Sequence, residues 1–208
     1  MKMNLKWIGW SGLLFFQSTV CLAFHLSGYG LASFSSATAL GLGFSAQTLP
    51  VQYGYGAGLG FSMLPKTFLE LGLIYGKRGF QETLTQASSS SNVIMTTLQI
   101  PVVLRIYLNR LFSVGVGGYY SYALNSSYEV DSIPVAYNTP SGVNDWSSQD
   151  YGVLCSLGVR IKLIPWVALV GDVRYLLGLA NMNASTANSD SSMSLSDLQV
   201  LFGLQLWR

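Results

Sequence analysis

Residues 53–63 read YGYGAGLGFSM, and their alternation decides the fold. Tyr53, Tyr55, Ala57, Leu59, Phe61 and Met63 share one parity; Gly54, Gly56, Gly58, Gly60 and Ser62 share the other. Successive side chains of a strand point to opposite faces, so the larger residues line one face and Gly or Ser the other. A helix would carry the four glycines at about 1 kcal/mol each. The distinction matters because residues 7–65 contain no Asp, Glu, Lys or Arg, a run otherwise suggestive of a membrane helix.

The same period extends outward. Leu69, Leu71, Leu73 and Tyr75 oppose Glu70, Gly72, Ile74 and Gly76. Leu98, Ile100, Val102, Leu104, Ile106 and Leu108 oppose Gln99, Pro101, Val103, Arg105 and Tyr107. Tyr151 through Leu163 alternates with Gly152, Leu154, Ser156, Gly158, Arg160 and Lys162. Val167, Leu169, Val173 and Tyr175 oppose Ala168, Val170, Asp172 and Arg174, and Leu198 through Leu206 oppose Gln199, Leu201, Gly203 and Gln205. One row is apolar throughout, and the other is small, polar or charged. A barrel in water would keep its polar row outside. Apolar-out and polar-in, in segments of about ten residues, belongs to a transmembrane β-barrel.

Eight strands are expected, over 37–47, 51–63, 67–80, 94–108, 111–125, 150–163, 166–179 and 195–207, with 24–36 as a further contributor to the first. Connectors at Leu64-Pro65-Lys66, Asn109-Arg110 and Ile164-Pro165 are tight; those at 81–93, 126–149 and 180–194 are long and polar. Short and long connectors alternating on an even strand count give an all-β, eight-stranded, antiparallel up-and-down barrel of the bacterial outer membrane, short turns toward the periplasm.

Composition agrees. Half of the 208 residues are apolar and 10% are charged, against about 25% charged in a typical soluble domain. The net charge of +2, with no Lys/Arg cluster, excludes a nucleic-acid footprint. Two cysteines, Cys21 and Cys155, and one histidine, His25, argue against a disulfide framework, a metal site or a cofactor. Lys2 and Lys6, the apolar run Trp7 to Phe16, and Cys21-Leu22-Ala23 have the layout of a secretory signal peptide over 1–23, leaving 24–208 as the barrel domain. An uncleaved anchor is the alternative.

Three stretches resemble the PorT-like outer-membrane β-barrel family, itself similar in build to the small OmpX and OmpA barrels. They are FLELGLIYGKRGF (68–80), LQIPVVLRIYL (98–108) and DYGVLCSLGVRIKLIPWVALVGDVRYLLGLANM (150–182). The resemblance implies an eight-stranded barrel and, as one role, transport or protein secretion. Such strands commonly end in an aromatic residue; here Trp207 precedes a final Arg208.

Inward-facing charges are the candidate site: Glu70, Arg105, Arg160, Lys162, Asp172 and Arg174. An eight-stranded barrel is only wide enough to be filled by side chains, and buried charges must be paired or hydrated. A salt-bridge plug is the first reading, with Glu70–Arg105 and Asp172–Arg174–Arg160 as expected groupings. A narrow anion-preferring conduit is the second. No catalytic or metal-binding residue is assigned. Barrel hydrolases rely on His beside Ser, Asp or Glu at the membrane surface, and His25 precedes every firmly read strand. Pro101 lacks a ladder donor and suggests a bulge. Cys155 is read as an inert filler on the lipid-facing row. Tyr119, Tyr120, Tyr122, Trp166 and Trp207 fit interfacial girdles.

The expected role is non-enzymatic, structural or surface-interacting, through the long loops. Partners are then the lipid bilayer, lipopolysaccharide, the outer-membrane assembly machinery, and a surface ligand or protein docking on Tyr128, Tyr137 and Trp146. The acidic residues Glu82, Glu129, Asp131, Asp145 and Asp190 offer either a solvated surface or divalent-cation bridging to lipopolysaccharide.

Overall fold

The computed structural model describes residues 23–40, 44–48, 51–84, 90–130, 133–135, 147–182 and 192–207. The signal-peptide expectation, apart from Ala23, lies outside them. All regular elements among the described residues are strands: β1 (Phe24–Leu40), β2 (Phe44–Thr48), β3 (Gln52–Leu64), β4 (Thr67–Leu84), β5 (Ser90–Tyr107), β6 (Phe112–Val130), β7 (Ile133–Val135), β8 (Gln149–Ile164), β9 (Val167–Gly178) and β10 (Ser192–Trp207). Eight long strands pair in sequence order, and β4 also pairs with β5 while β1 pairs with β10, so the sheet closes on itself. Closure leaves no open edge in the ring, which a bilayer requires. The short β2 pairs with the loop end of β4, beyond the stretch that β3 covers.

The first strand corrects the sequence reading: it starts at Phe24, not at 37, and pairs with β10 from His25↔Trp207 to Leu40↔Ser192. Contrast is weak there. Its outward row, Phe24, Leu26, Gly28, Gly30, Ala32 and Phe34, is half small residues, and its inward row includes Tyr29 and Leu31. Parts of the expected connectors at 81–93 and 126–149 are strand: 81–84, 90–93, 126–130, 133–135 and Gln149. The β4–β5 ladder runs on to Thr83↔Ser90, and β6 continues to Val130.

Exposure alternates as the parity requires. Tyr53, Tyr55, Leu157 and Phe202 are more than 60% exposed, while Ile74, Gln99, Leu176 and Asp197 are almost wholly buried. The outward apolar row of β5, Leu98 to Leu108, spans about 33 Å at roughly 3.3 Å per residue. Tilted by about 40°, that is roughly the 25 Å height of a barrel's apolar belt. Tyr53, Tyr55, Tyr75, Tyr120, Tyr122, Tyr151 and Tyr175 lie toward its long-loop edge and are exposed. Trp166 is exposed at a short turn, but Trp207 and Tyr119 do not join the girdles: both rings point inward.

The tight turns have local causes. Pro65 opens one of them and Lys66 takes a left-handed φ of 69°. Asn109 Oδ1 accepts the Leu111 and Phe112 amides at 2.8 and 2.7 Å. Pro101 makes no bulge. The β4–β5 register is the same on both sides of it, with the ladder lapsing at Gly72 and Leu73 between Leu71↔Val102 and Ile74↔Gln99. Gly72 provides the room, since a Cβ there would lie 2.7 Å from Pro101 Cγ. The one shift between β5 and β6 falls at Thr96/Thr97.

Candidate functional site: the charged lumen

Inward side chains stack in layers along the barrel axis. At the short-turn end is an aromatic floor. His25, Phe68, Tyr107 and Trp207 contribute rings whose centroids lie 5.3 to 6.4 Å apart. Arg160 lies over two of them, 4.0 Å from the Tyr107 centroid and 4.4 Å from that of Trp207. Glycine on β3 makes the floor geometrically possible, because a Cβ on Gly60 would fall inside the His25 imidazole.

Above the floor, Arg105 on β5 is the hub of an ion cluster. Its Nε donates to Glu70 Oε2 at 2.8 Å, and its two terminal nitrogens donate to the two Asp172 oxygens at 3.2 and 2.7 Å. This bidentate fork is the strong guanidinium–carboxylate geometry. Arg105 also reaches Ser113 Oγ at 3.2 Å. Arg174 Nε donates to Asp172 Oδ2 at 2.7 Å, and His25 Nε2 lies 3.3 Å from Glu70 Oε1. Five strands are thereby tied across the lumen: β1, β4, β5, β6 and β9.

The structure brings together four of the six residues read from the sequence: Glu70, Arg105, Asp172 and Arg174. Arg160 belongs to the same region but makes no ion pair with Asp172; it is held by the aromatic rings. Lys162 is exposed near the 164–167 turn, outside the cluster. His25, expected outside the firm strands, sits within β1 and is buried against Glu70.

A second charged layer nearer the long loops was not read from the sequence. Arg78 on β4 donates to Asp150 Oδ2 at 2.7 Å and pairs with Asp197 on β10. The Tyr119 hydroxyl donates to Asp150 at 3.0 Å. Between the two charged layers, Gln199 donates to Gln99 at 3.1 Å, and two apolar groups pack: Leu31, Ile74 and Leu201, and Val103, Tyr119, Leu154 and Leu176. Parity had marked these positions. Arg78 extends the inward row of Glu70, Gly72, Ile74 and Gly76, and Asp197 extends that of Gln199.

An apolar cap covers the second layer. Phe80, Val93, Met95, Met182, Met193 and Leu195 form one buried cluster. Phe80 stands five residues beyond Tyr75 of the aromatic rim, so the cap sits past the apolar belt. Among the described residues, the charges gathered in these two layers are Arg78, Arg105, Arg160 and Arg174 against Glu70, Asp150, Asp172 and Asp197, all buried but Glu70, which is half-buried. Among the described residues, no group of three or more His, Cys, Asp or Glu side chains is placed to hold a metal ion. Cys155 is a free, exposed thiol on the outward row.

With this geometry in hand, the similarities to known proteins are specific to the fold. Residues 28–183 match a family model described as an outer membrane protein beta-barrel domain. No curated protein matches the chain in sequence. Among solved structures, the chain is similar to the outer membrane protein OprG of Pseudomonas aeruginosa, at 16% identity and a TM-score of 0.56, with 90% of this chain and 96% of that one covered. Neisserial surface protein A is similar at 11% identity and a TM-score of 0.47, covering 88% and 97%. Ail, the attachment invasion locus protein of Yersinia pestis, solved with the heparin analogue sucrose octasulfate, is similar at 10% identity and a TM-score of 0.43, covering 88% and 98%.

Proposed function

This chain belongs to the outer membrane protein beta-barrel domain family and so resides in the bacterial outer membrane, and from that premise we propose that it acts at the cell surface, without enzymatic chemistry, through the structure it raises above the bilayer. One observation carries the reading. The wall continues past the aromatic rim while the lumen beneath is filled. From Lys77 to Leu84, β4 adds seven residue steps beyond the belt, about 23 Å of strand at roughly 3.3 Å per step. β5 and β6 rise with it. Below lie the apolar cap and two layers of buried ion pairs.

A filled lumen favours a surface role over passage. The acidic residues Glu82 and Glu129 fall on the rising parts of β4 and β6, where divalent cations bridge carboxylates to the phosphates of lipopolysaccharide. Residues 136–146, with Tyr137 and Trp146, supply aromatic contact for a surface ligand or protein partner. The assembly machinery is the partner that inserts the barrel. His25 is enclosed in the lumen floor rather than placed at the membrane surface, which supports a non-enzymatic reading. Residues 1–23 act as the signal peptide in this scheme.

The test has two arms. In planar bilayers the purified protein should give no discrete conductance steps. In cells, replacing residues 136–146 with a Gly-Ser linker of equal length should leave heat-modifiable gel mobility intact. The same replacement should change surface adhesion or sensitivity to chelators. Steps that Arg105→Ala alters would overturn the proposal in favour of transport or secretion of the PorT-like kind.

A further inference from the structure

The two charged layers are not individually neutral. In the layer above the floor, three guanidinium groups, Arg105, Arg160 and Arg174, face two carboxylates, Glu70 and Asp172, and all five line one cavity together with Ser27, Tyr29, Ser113 and Gln205. About 420 Å3 of space lies between these residues, open solvent at the mouth included, and some 40 Å3 of it admits the centre of a water-sized sphere. Arg105 is fully engaged by Glu70, Asp172 and Ser113. The other two are not. Arg174 spends Nε on Asp172, and its Nη1 is buried with no hydrogen-bond partner. Arg160 is 9% exposed and makes no ion pair, and its Nε and Nη1 are both buried without a hydrogen-bond partner.

A guanidinium carries five N–H donors and cannot shed its charge. Burying one is costly unless an anion or acceptor answers it. Stacking on Tyr107 and Trp207 fixes the plane of the Arg160 group but satisfies none of its in-plane donors. The unpartnered Nε and Nη1 lie on opposite edges of that plane, so an oxyanion takes a charge-assisted contact from one edge or the other.

We propose that the periplasmic half of the lumen is a blind pocket for one small oxyanion, a carboxylate or a phosphate, held by Arg160 with Arg174. It is blind because Leu31, Ile74 and Leu201, the Gln99–Gln199 pair, the Arg78 layer and the Phe80 cap close the far side. With the far side closed, entry is left to the short-turn end, where Arg160 and Gln205 border the cavity. Arg105 holds the carboxylates that would otherwise compete with the ligand for the other two guanidinium groups. The pocket is independent of the surface role, because it opens to the opposite side of the membrane.

The experiment uses the refolded full-length barrel in a non-ionic detergent at constant ionic strength, titrated with acetate in one arm and inorganic phosphate in the other. The expected result is saturable protection against thermal unfolding. Arg160→Met should weaken it about tenfold or more, the worth of one lost charge-assisted contact, while Arg110→Gln at a surface turn should leave it unchanged. The stronger arm identifies the class of anion. As a check that needs no variant, iodide should quench emission from Trp207, beside Arg160, in a saturable manner that the better oxyanion reverses. Linear, non-saturating responses, or equal responses in the native protein and Arg160→Met, would overturn the proposal and leave water as the partner of these guanidinium groups.

Discussion

Arg105→Met is the sharpest probe of whether the lumen is a dry plug. The side chain makes contacts at 2.8 Å to Glu70 and at 3.2 and 2.7 Å to Asp172, all between groups shielded from solvent. Removing one partner of a buried pair costs about 3–5 kcal/mol, because the remaining charge has lost its compensation. Two carboxylates are orphaned here, but each keeps a second neighbour, His25 for Glu70 and Arg174 for Asp172. The single-pair range therefore applies rather than its double. At about 1.4 kcal/mol per tenfold, the folding equilibrium falls roughly 100- to 3,000-fold. Adding Glu70→Gln removes the carboxylate left without a guanidinium, while Asp172 keeps Arg174, and should restore at least about 1 kcal/mol, since replacing a whole buried pair is often neutral. Urea-driven unfolding from lipid vesicles, followed by tryptophan emission and heat-modifiable mobility, measures both. A loss below about 1 kcal/mol for the single variant, the value of a solvated pair, would refute the reasoning. The lumen would then be wet enough to screen its charges, as a conduit is.

Two further perturbations test the walls rather than the filling. Gly56→Val should fail to refold, or refold with at least about 1–3 kcal/mol of lost stability from overpacking. A Cβ there would meet the Tyr29 ring at 2.7 Å and the Leu73 carbonyl oxygen at 2.8 Å; normal heat-modifiable mobility with unchanged urea resistance would count against the inward placement of that row. Leu157→Arg puts a charge on the outward row of β8 where Leu157 is 66% exposed. It should cost about 2–4 kcal/mol in vesicles, the penalty for a cation near the bilayer midplane, and a cost near zero would mean that this face does not meet lipid.

The outward face was legible from the sequence because hydrocarbon imposes one rule on every strand. Leu, Val and Ile at period two on β5, β8 and β10 need no partner to be recognised. The interior obeys a different rule, satisfied only when the ring is closed. Glu70 and Arg105 shared the inward parity, and adjacency of their strands was enough to pair them. Arg160 and Arg174 also share it, yet one is stacked on rings from β5 and β10 and the other is ion-paired along its own strand, a division that parity alone does not carry. Residue type also overruled parity where parity was right. Trp207 follows Gln205 on the inward row and Tyr119 follows Gly117, but both were assigned to girdles as aromatic residues near strand ends. Stopping the inward row of β4 at Gly76 hid Arg78, and with it the layer that Asp150 and Asp197 complete.

The seam explains why the floor is the least legible part. His25 and Trp207 are register partners on β1 and β10, the first and last strands of the chain, and Trp207 is one of the two rings that hold Arg160. Local sequence therefore carries no sign of the floor; it exists only after the ring closes. The same geometry separates closure from charge. Arg160 reaches Trp207 within the run β8–β9–β10, and Glu70 reaches His25 within β1–β3–β4, so both contacts lie on one side of the seam; until β10 meets β1, it is the Trp207 ring that lacks His25 and Phe68. Arg105, Asp172 and Arg174 lie on β5 and β9 and meet only across the lumen or along one strand. What the last strand pairing adds to the periplasmic half is therefore ring contact, since Glu70–Arg105 joins adjacent strands and Asp172–Arg174 lies along one. The ions thus serve occlusion, compensated within each part of the sheet, while the aromatic floor is what the seam brings together.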